Sequence, residues 1–381
     1  MKILYCAAGT PIPGTHGGSI HALELCRALA RRGHEVHLAA LRPSLSRGAE
    51  VPLDGVQLRY LHRFLPVTLL EWTAGRAIRS LIAEIHPDVV VERFYTFGGG
   101  AIAAAHHAGV PAVLEINSPA RDYPGSLRDT LDKLTIVRPV DRWRRRQLER
   151  CAAIYTTSRH LVPPELQDSA TVIVNGVDID RFTPGPETPD TGPLHCAYVS
   201  SFRSWHGAED LVEAVSHCVS HRVPLRVTCI GEGPRWKLAK KAAAVAGIAD
   251  NIDFVGRVPH AEVPGLLADA DIGVAPFAPD QFRALELGWF WSPIKIFEYL
   301  AAGLPIVTAD IDELRTLLSG EVANFYRPSD PLALAEAIME LEADRTAVRR
   351  MSKAARALAD KQYTWDHQAA AVDAVLQSAV Q

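Results

Sequence analysis

From end to end the chain alternates short β-branched runs with longer amphipathic segments whose apolar residues recur three and four apart. No other feature limits the fold as much. Parallel strands need crossover connections, and helices placed between strands produce parallel sheets. In the first half the pattern predicts strands at Lys2–Ala7, Glu35–Ala40, Val56–Tyr60, Val89–Glu92, Ala112–Glu115, Ala153–Thr157 and Thr171–Asn175. Helices are expected at Ser19–Arg32, Trp72–Ile85 and Gly100–Ala108. Ser19 reads as the cap of the first of these, and Gly33 as its stop after the basic Arg31-Arg32 end.

The periodicity lapses after Asn175-Gly176-Val177-Asp178, where Pro184, Gly185, Pro186, Pro189, Gly192 and Pro193 crowd together. Such a stretch is a candidate linker. The alternation then restarts, with strands expected at His195–Val199, Leu225–Ile230, Ile252–Val255, Ile272–Ala275, Leu304–Thr308 and Ala323–Tyr326. Helical segments are Ala208–His217, Trp236–Ala246, Ala261–Ala268, Ile294–Ala302, Pro331–Glu342 and a last one from Trp365. A chain of 381 residues is comfortable for two domains, each with its own core. The expected architecture is therefore α/β, two Rossmann-like doubly wound domains facing a central cleft. Their bounds are read as 1–183 and 184–364, with a helix at 365–381 returning to the first domain. Ligands of such sheets bind outside the carboxyl ends of the strands.

A formal charge of -4 and a pI near 6.4 argue against a nucleic-acid partner, which would select a basic footprint. The six cysteines form no Cys-x-x-Cys pair and read as buried free thiols of a reducing compartment. Met1-Lys2 runs straight into Ile3–Ala7, too short a run for a leader, so a cytoplasmic location is expected. Peripheral membrane contact finds no support in the sequence.

The loops carry the chemistry. Ser292-Pro293 opens a helix that ends at Gly303-Leu304-Pro305, with Pro293 where a missing N–H costs nothing. The N–H groups of Ile294 and Lys295 then point out of a positive helix end suited to phosphate. Glu298, one turn further, has the reach to accept hydrogen bonds from ribose hydroxyls. A diphosphate and a ribose at one helix start describe a nucleotide. Gly17-Gly18 before the first helix admits close approach of a ligand to the main chain. Tyr198–Gly207 places Arg203 and His206 at a strand's carboxyl end, where they can neutralise a diphosphate. Gly231 in Gly231-Glu232-Gly233 floors the same region, and the main chain of Arg257 and Val258 suits a base edge. In the first half, Asn117 leaves a strand with a side chain able to donate to and accept from sugar hydroxyls. The Arg142, Arg144, Arg145 and Arg146 cluster is read as a solvated helix face.

In order and spacing these fragments resemble a family 4 glycosyltransferase of the GT-B fold. The resemblance rests on His16-Gly17-Gly18, Ala28–Val36, Asn175-Gly176-Val177-Asp178, Ile230–Pro234, Phe254–Pro259, Ala270–Pro276 and above all Ser292–Gly303. It implies retaining, metal-independent transfer of a hexosyl or N-acetylhexosaminyl group, with no cofactor. The donor would be a nucleotide-diphosphate sugar, a UDP-sugar before a GDP- or ADP-sugar. The acceptor would be a hydroxyl of a saccharide, a lipid-linked sugar or a natural-product aglycone. It also implies catalytic positions at Asn117, Arg203, His206 and Lys295. Donor contacts would fall at Gly17, Gly18, Gly231, Arg257, Val258, Pro293, Ile294 and Glu298.

This chain departs from the family pattern in three places. Asn117 stands where many members carry histidine, so a role there is hydrogen bonding. The usual arginine of the second-domain loop aligns with Ser201, leaving Arg203 as a displaced substitute, and the usual lysine aligns with His206. Phe290 replaces a glutamate that often contacts the donor sugar, as in a subgroup with aromatic-Ser-Pro-x-Lys at this place. Two other readings stand beside transfer. One is a nucleotide-sugar epimerase using Glu115 and Asp122 as acid and base. The other is a non-catalytic sugar-nucleotide-binding protein.

Overall fold

The computed structural model describes residues 1–14, 17–43, 52–61, 74–94, 99–117, 143, 145–283, 285, 288–289 and 292–381. The chain forms two compact units. Met1–Gly176, Glu286–Ser292 and Trp365–Gln381 make the first, and Val177–Leu285 with Pro293–Thr364 make the second. Both are parallel-sheet α/β units of Rossmann type.

The first unit runs β1 (Lys2–Pro11), α1 (Gly17–Arg31), β2 (Glu35–Leu41), β3 (Val56–Leu61), α2 (Gly75–Ile85), β4 (Val89–Phe94), α3 (Gly100–Ala108), β5 (Ala112–Ile116), β6 (Ala153–Thr156) and β7 (Ala170–Val172). Its sheet order is β3-β2-β1-β4-β5-β6-β7, parallel throughout. The order switches direction between β1 and β4, the crevice position at which such sheets hold ligands. Central β4 is buried along its whole length, as the Val89-Val90-Val91 run requires of a strand covered on both faces. Helix α2 buries Ile78, Ile82 and Ile85, one stripe at helical spacing.

The second unit runs β8 (Leu194–Val199), α4 (Ala208–Ser220), β9 (Leu225–Ile230), α5 (Trp236–Val245), β10 (Ile252–Gly256), α6 (Val263–Ala268), β11 (Ile272–Ala275), α7 (Ile294–Ala301), β12 (Ile306–Ala309), α8 (Asp312–Leu317), β13 (Ala323–Tyr326), α9 (Pro331–Ala343) and α10 (Arg345–Gln362). Its sheet order, β10-β9-β8-β11-β12-β13, repeats the same logic with the switch between β8 and β11. The last helix, α11 (Trp365–Val380), lies in the first unit, where Trp365, Ala369, Val372 and Leu376 join Tyr5, Leu25-Cys26 and Tyr155 in one core.

Several local expectations are corrected. Strand β1 does not stop at Ala7 but continues past a register shift to Pro11. Helix α1 starts at Gly17, so Ser19 lies inside its first turn and donates its hydroxyl to the Pro11 carbonyl at 2.7 Å instead of capping. Gly33 does close the helix, at φ +89. The segment expected as a strand over Thr171–Asn175 pairs only over Ala170–Val172, and the strand expected from Leu304 begins at Ile306. Residues 72–73 of the second expected helix lie outside the described residues. Helices α8 and α10 escape the sequence pattern. The buried stripe of α10 is Val348, Met351, Ala355 and Ala359, in which two alanines hide the period among charged neighbours. All six cysteines are free, Cys151 half-buried and the others buried. Among the described residues no helix is long and apolar enough to cross a membrane.

Candidate functional site

In the second unit, loops leaving β8, β9 and β11 are pressed together, and glycines make this approach feasible. A Cβ on Gly231 would lie 1.9 Å from the Ser200 carbonyl oxygen, and one on Gly207 would lie 1.6 Å from that of Pro276. Both residues also have positive φ, +112 and +64. The amide of Gly231 is spent on the Gly256 carbonyl at 2.7 Å, so its contribution is clearance, not donation to a ligand. Arg257 and Val258 follow β10 directly, the first exposed and the second half-buried.

The loop after β8 fixes His206 through Ser200. The Ser200 hydroxyl accepts from the Phe202 amide at 2.8 Å and stands 2.9 Å from both Tyr198 Oη and His206 Nδ1, while Tyr198 Oη also lies 3.0 Å from the His206 carbonyl oxygen. A Ser200 proton given to Nδ1 would leave Nδ1 the acceptor and the ring proton on Nε2, a neutral imidazole. The electrostatics agree. Burial, then the positive Lys295 and Arg203, push the His206 pKa down to about 2. Without an anion beside it, His206 is thus a neutral ring able to hydrogen-bond, between the positive Lys295 and Arg203. Arg203 is exposed and carries that charge.

Helix α7 presents its start to this loop cluster. Pro293 is its N-cap, at φ -73 and ψ 112, one position earlier than the sequence suggests. Ile296 N bonds the Pro293 carbonyl at 3.0 Å, whereas the Ile294 and Lys295 amides are first-turn donors with no acceptor inside the helix. Lys295 is 9% exposed, and among the described residues its Nζ has no hydrogen-bond partner. It lies 5.3 Å from the centre of the Tyr198 ring and 5.1 Å from that of Phe277, whose ring also stands 6.3 Å from His206. Ring faces attract a cation but do not replace its hydration. Burial pushes the Lys295 pKa down to about 7, with Glu298 pulling the other way.

Glu298 is buried and accepts from His260 Nε2 at 2.7 Å. Arg181 donates to His260 Nδ1 and to its carbonyl, both at 3.3 Å, which holds the ring with Nε2–H toward the carboxylate. Sequence reasoning missed His260. Its signal is its place one residue after Val258-Pro259, on the loop already singled out. It also passed over His217 and His221, four apart at the end of α4 with ring centres 4.3 Å apart. Among the described residues no group of three or more His, Cys, Asp or Glu is placed to hold a metal ion.

In the first unit, Gly17 is exposed and Gly18 half-buried at the start of α1. Asn117 follows β5 directly, and its amide nitrogen donates to Glu115 Oε1. That leaves the Asn117 carbonyl oxygen and the second amide N–H as the groups it can offer a ligand. Glu115 is 1% exposed and saturated, with Arg93 and His21 each 2.7 Å from Oε1, while Tyr5 and Tyr155 donate to Oε2. Burial alone would raise its pKa, but His21 and Arg93 outweigh it and hold the carboxyl far below its ordinary value. Of the other residues singled out in the sequence, His16, Asp122, Arg142, Arg144 and Phe290 lie outside the described residues, as do the segments Phe64–Trp72 and Ala120–Thr135.

Residues 15–181 match the family described as Glycosyltransferase Family 4, and residues 193–344 match Glycosyl transferases group 1. A glycogen synthase of Mycobacterium tuberculosis is 27% identical, over 96% of this chain and 92% of that protein. A glycosyltransferase structure from Rickettsia africae superposes with a TM-score of 0.76 at 15% identity, covering 100% of this chain and 98% of that one. Anabaena HepE in complex with UDP superposes with a TM-score of 0.74 at 15% identity, over 99% of this chain and 100% of the other.

Proposed function

The chain is a family 4 glycosyltransferase of the GT-B fold, and from that premise we propose that it transfers a sugar from a nucleoside-diphosphate sugar to an acceptor hydroxyl with retention at the anomeric carbon. One observation carries the reading: the buried, unpartnered Lys295 Nζ beside a neutral His206, the exposed Arg203 and two free amides of α7. A buried amine without a partner is costly, and an anion is what such a seat fits.

In the proposed reaction the bond between the anomeric carbon and the diphosphate oxygen breaks as the acceptor oxygen attacks from the same face. The acceptor proton passes to the departing phosphate oxygen. Arg203 and a protonated Lys295 receive the developing charge, and His206 Nε2–H and the α7 amides donate to it. Preorganised donors of this kind contribute several kcal/mol each to barrier lowering. Glu298, oriented by His260, takes the ribose hydroxyls. No residue of this scheme requires a metal ion. A UDP-sugar is favoured as donor because HepE, alike in fold, was solved with UDP. The names of the relatives and the locked state of Glu115 both disfavour the epimerase reading.

Calorimetric titration with UDP, GDP and ADP tests the seat. Incubation of UDP-, GDP- and ADP-sugars with an acceptor panel in the presence of a chelator, followed by anomer assignment by NMR, tests the chemistry. Absence of binding by all three diphosphates, or a product of inverted configuration, rules the proposal out.

A further inference from the structure

Asp178, Arg181, His260, Glu298 and Arg356 all belong to the second unit. Asp178 Oδ1 accepts from the backbone N–H groups of Asp180 and Arg181 at 3.1 and 3.2 Å, a turn that sets the direction in which Arg181 leaves the main chain. Arg356 of α10 ties this turn to α7. Its Nη1 donates to the carbonyls of Ile179, Phe182 and Ala301, at 3.2, 2.7 and 2.8 Å, and Ala301 is the last residue of α7. The tautomer of the half-buried His260 follows from its two partners. A guanidinium has no acceptor, so Arg181 Nη2, 3.3 Å from His260 Nδ1, can only donate. Nδ1 is therefore the acceptor, and the ring proton sits on Nε2, 2.7 Å from Glu298 Oε1. The bond from Arg181 to the His260 carbonyl, and the Phe182 ring with its centre 5.8 Å away, oppose a flip of the imidazole.

We propose that His260 is a specificity-determining residue, which makes the site select a nucleotide bearing the ribose diol over one lacking it by fixing the Glu298 carboxylate. The proposal rests on the donor-site reading above, in which Glu298 takes the ribose hydroxyls. The last torsion of a glutamate side chain is broad, so a carboxylate left to itself turns readily. One N–H held on Oε1 removes that freedom and leaves about three acceptor positions in set directions. Hydroxyls that meet a carboxylate already oriented bind without the cost of ordering it. A sugar without them leaves the buried oxygens of Glu298 with no donor, and sites built to bond a hydroxyl reject analogues lacking it for that reason. Arg181 contributes by keeping the proton of His260 on the side of the carboxylate.

A ratio of two affinities tests this, since both ligands meet the same folded protein and a change in stability alone does not move it. UDP, GDP and ADP are titrated calorimetrically into the full chain, and whichever binds is compared with its 2′,3′-dideoxy form. The parent is expected to bind the ribonucleotide at least about tenfold tighter. His260→Phe keeps a ring beside Phe182 but has no donor, and the ratio is expected to fall below about threefold. His260→Gln keeps an N–H for the carboxylate and is expected to retain most of the preference. A ratio like the parent's in His260→Phe overturns the role of His260 and leaves the donor reading standing. Equal binding of both forms by the parent overturns the ribose contact of Glu298 as well, but leaves the diphosphate seat. A parent that binds none of the three overturns the donor reading too. Should thermal unfolding show that His260→Phe does not fold, His260→Ala decides by the same criterion.

Discussion

Glu115 and Lys295 are both buried ionisable side chains, one in each unit, yet they are treated in opposite ways. Glu115 has five partners and is kept charged, whereas Lys295 Nζ has no hydrogen-bond partner among the described residues and is pushed toward neutrality. The contrast distinguishes an anchor from a seat. A saturated carboxylate has no capacity left for a ligand, and its removal strands the groups around it. An unsatisfied amine gains from an incoming anion what the protein withholds. Another buried carboxylate of the first unit, Glu92, shows the intermediate case. It is held only by amides at the start of α3, and burial raises its pKa to about 7 despite them.

The sharpest way to break the comparison is to remove each group. Glu115→Leu strands Arg93 and His21 in the core and is expected to cost about 3–5 kcal/mol of stability, read as a lowered denaturant midpoint. A variant as stable as the parent would show that the cluster is not an anchor. Lys295→Ala is expected to leave stability equal or higher, since a buried unpaired amine disappears, while kcat/KM falls by about 10²–10³-fold. Comparable turnover in the variant would remove Lys295 from the reaction.

Protonation of Lys295 gives the next effect in size. Above about pH 7 the free protein holds this amine neutral, so an anion that needs it charged must bind together with a proton. UDP affinity is then expected to fall as pH rises from about 7 to 9, by up to about tenfold per pH unit, and Lys295→Arg to flatten the profile. Glu298 favours the charge on this amine, and the His206 ring beside it is held neutral. For stability alone the sign is opposite. The unfolded chain binds the proton up to about pH 10.5, so this group's penalty on the fold is full below about pH 7 and fades as pH rises.

The smallest effect expected is at Asn117. Asn117→Asp sets a second carboxylate against Glu115 and should destabilise by about 1–3 kcal/mol, more than Asn117→Ala, as measured by thermal unfolding. Equal losses would mean that the Asn117–Glu115 contact does not orient the side chain.

The second-unit loops were legible because their chemistry is local. Gly207, Gly231, Pro293 and Lys295 announce a strand exit or a helix start within a few residues of themselves. His206 was legible as part of a strand's exit loop but not as a neutral ring, since that follows from its burial and from two cations that only the fold brings near. Glu115 was visible at a strand's exit, with an acid or base role weighed only in the rival epimerase reading. Its partners Tyr5, His21, Arg93 and Tyr155 come from four separate elements or strand ends, and no sequence spacing relates them. Helix α10 was missed for a related reason, as alanine gives little signal on the buried face.

By itself the sequence determined the alternation of strands and helices, the two parallel sheets and the helix start at Ser292–Lys295, because periodicity and turn chemistry act over a few residues. Which buried charges are matched and which are left waiting was decided only by tertiary structure. A side chain's ionisation depends on every group within a few ångströms, and those groups arrive from β1, α1, β4, β5 and β6 in one case and from β8, β11 and α7 in the other.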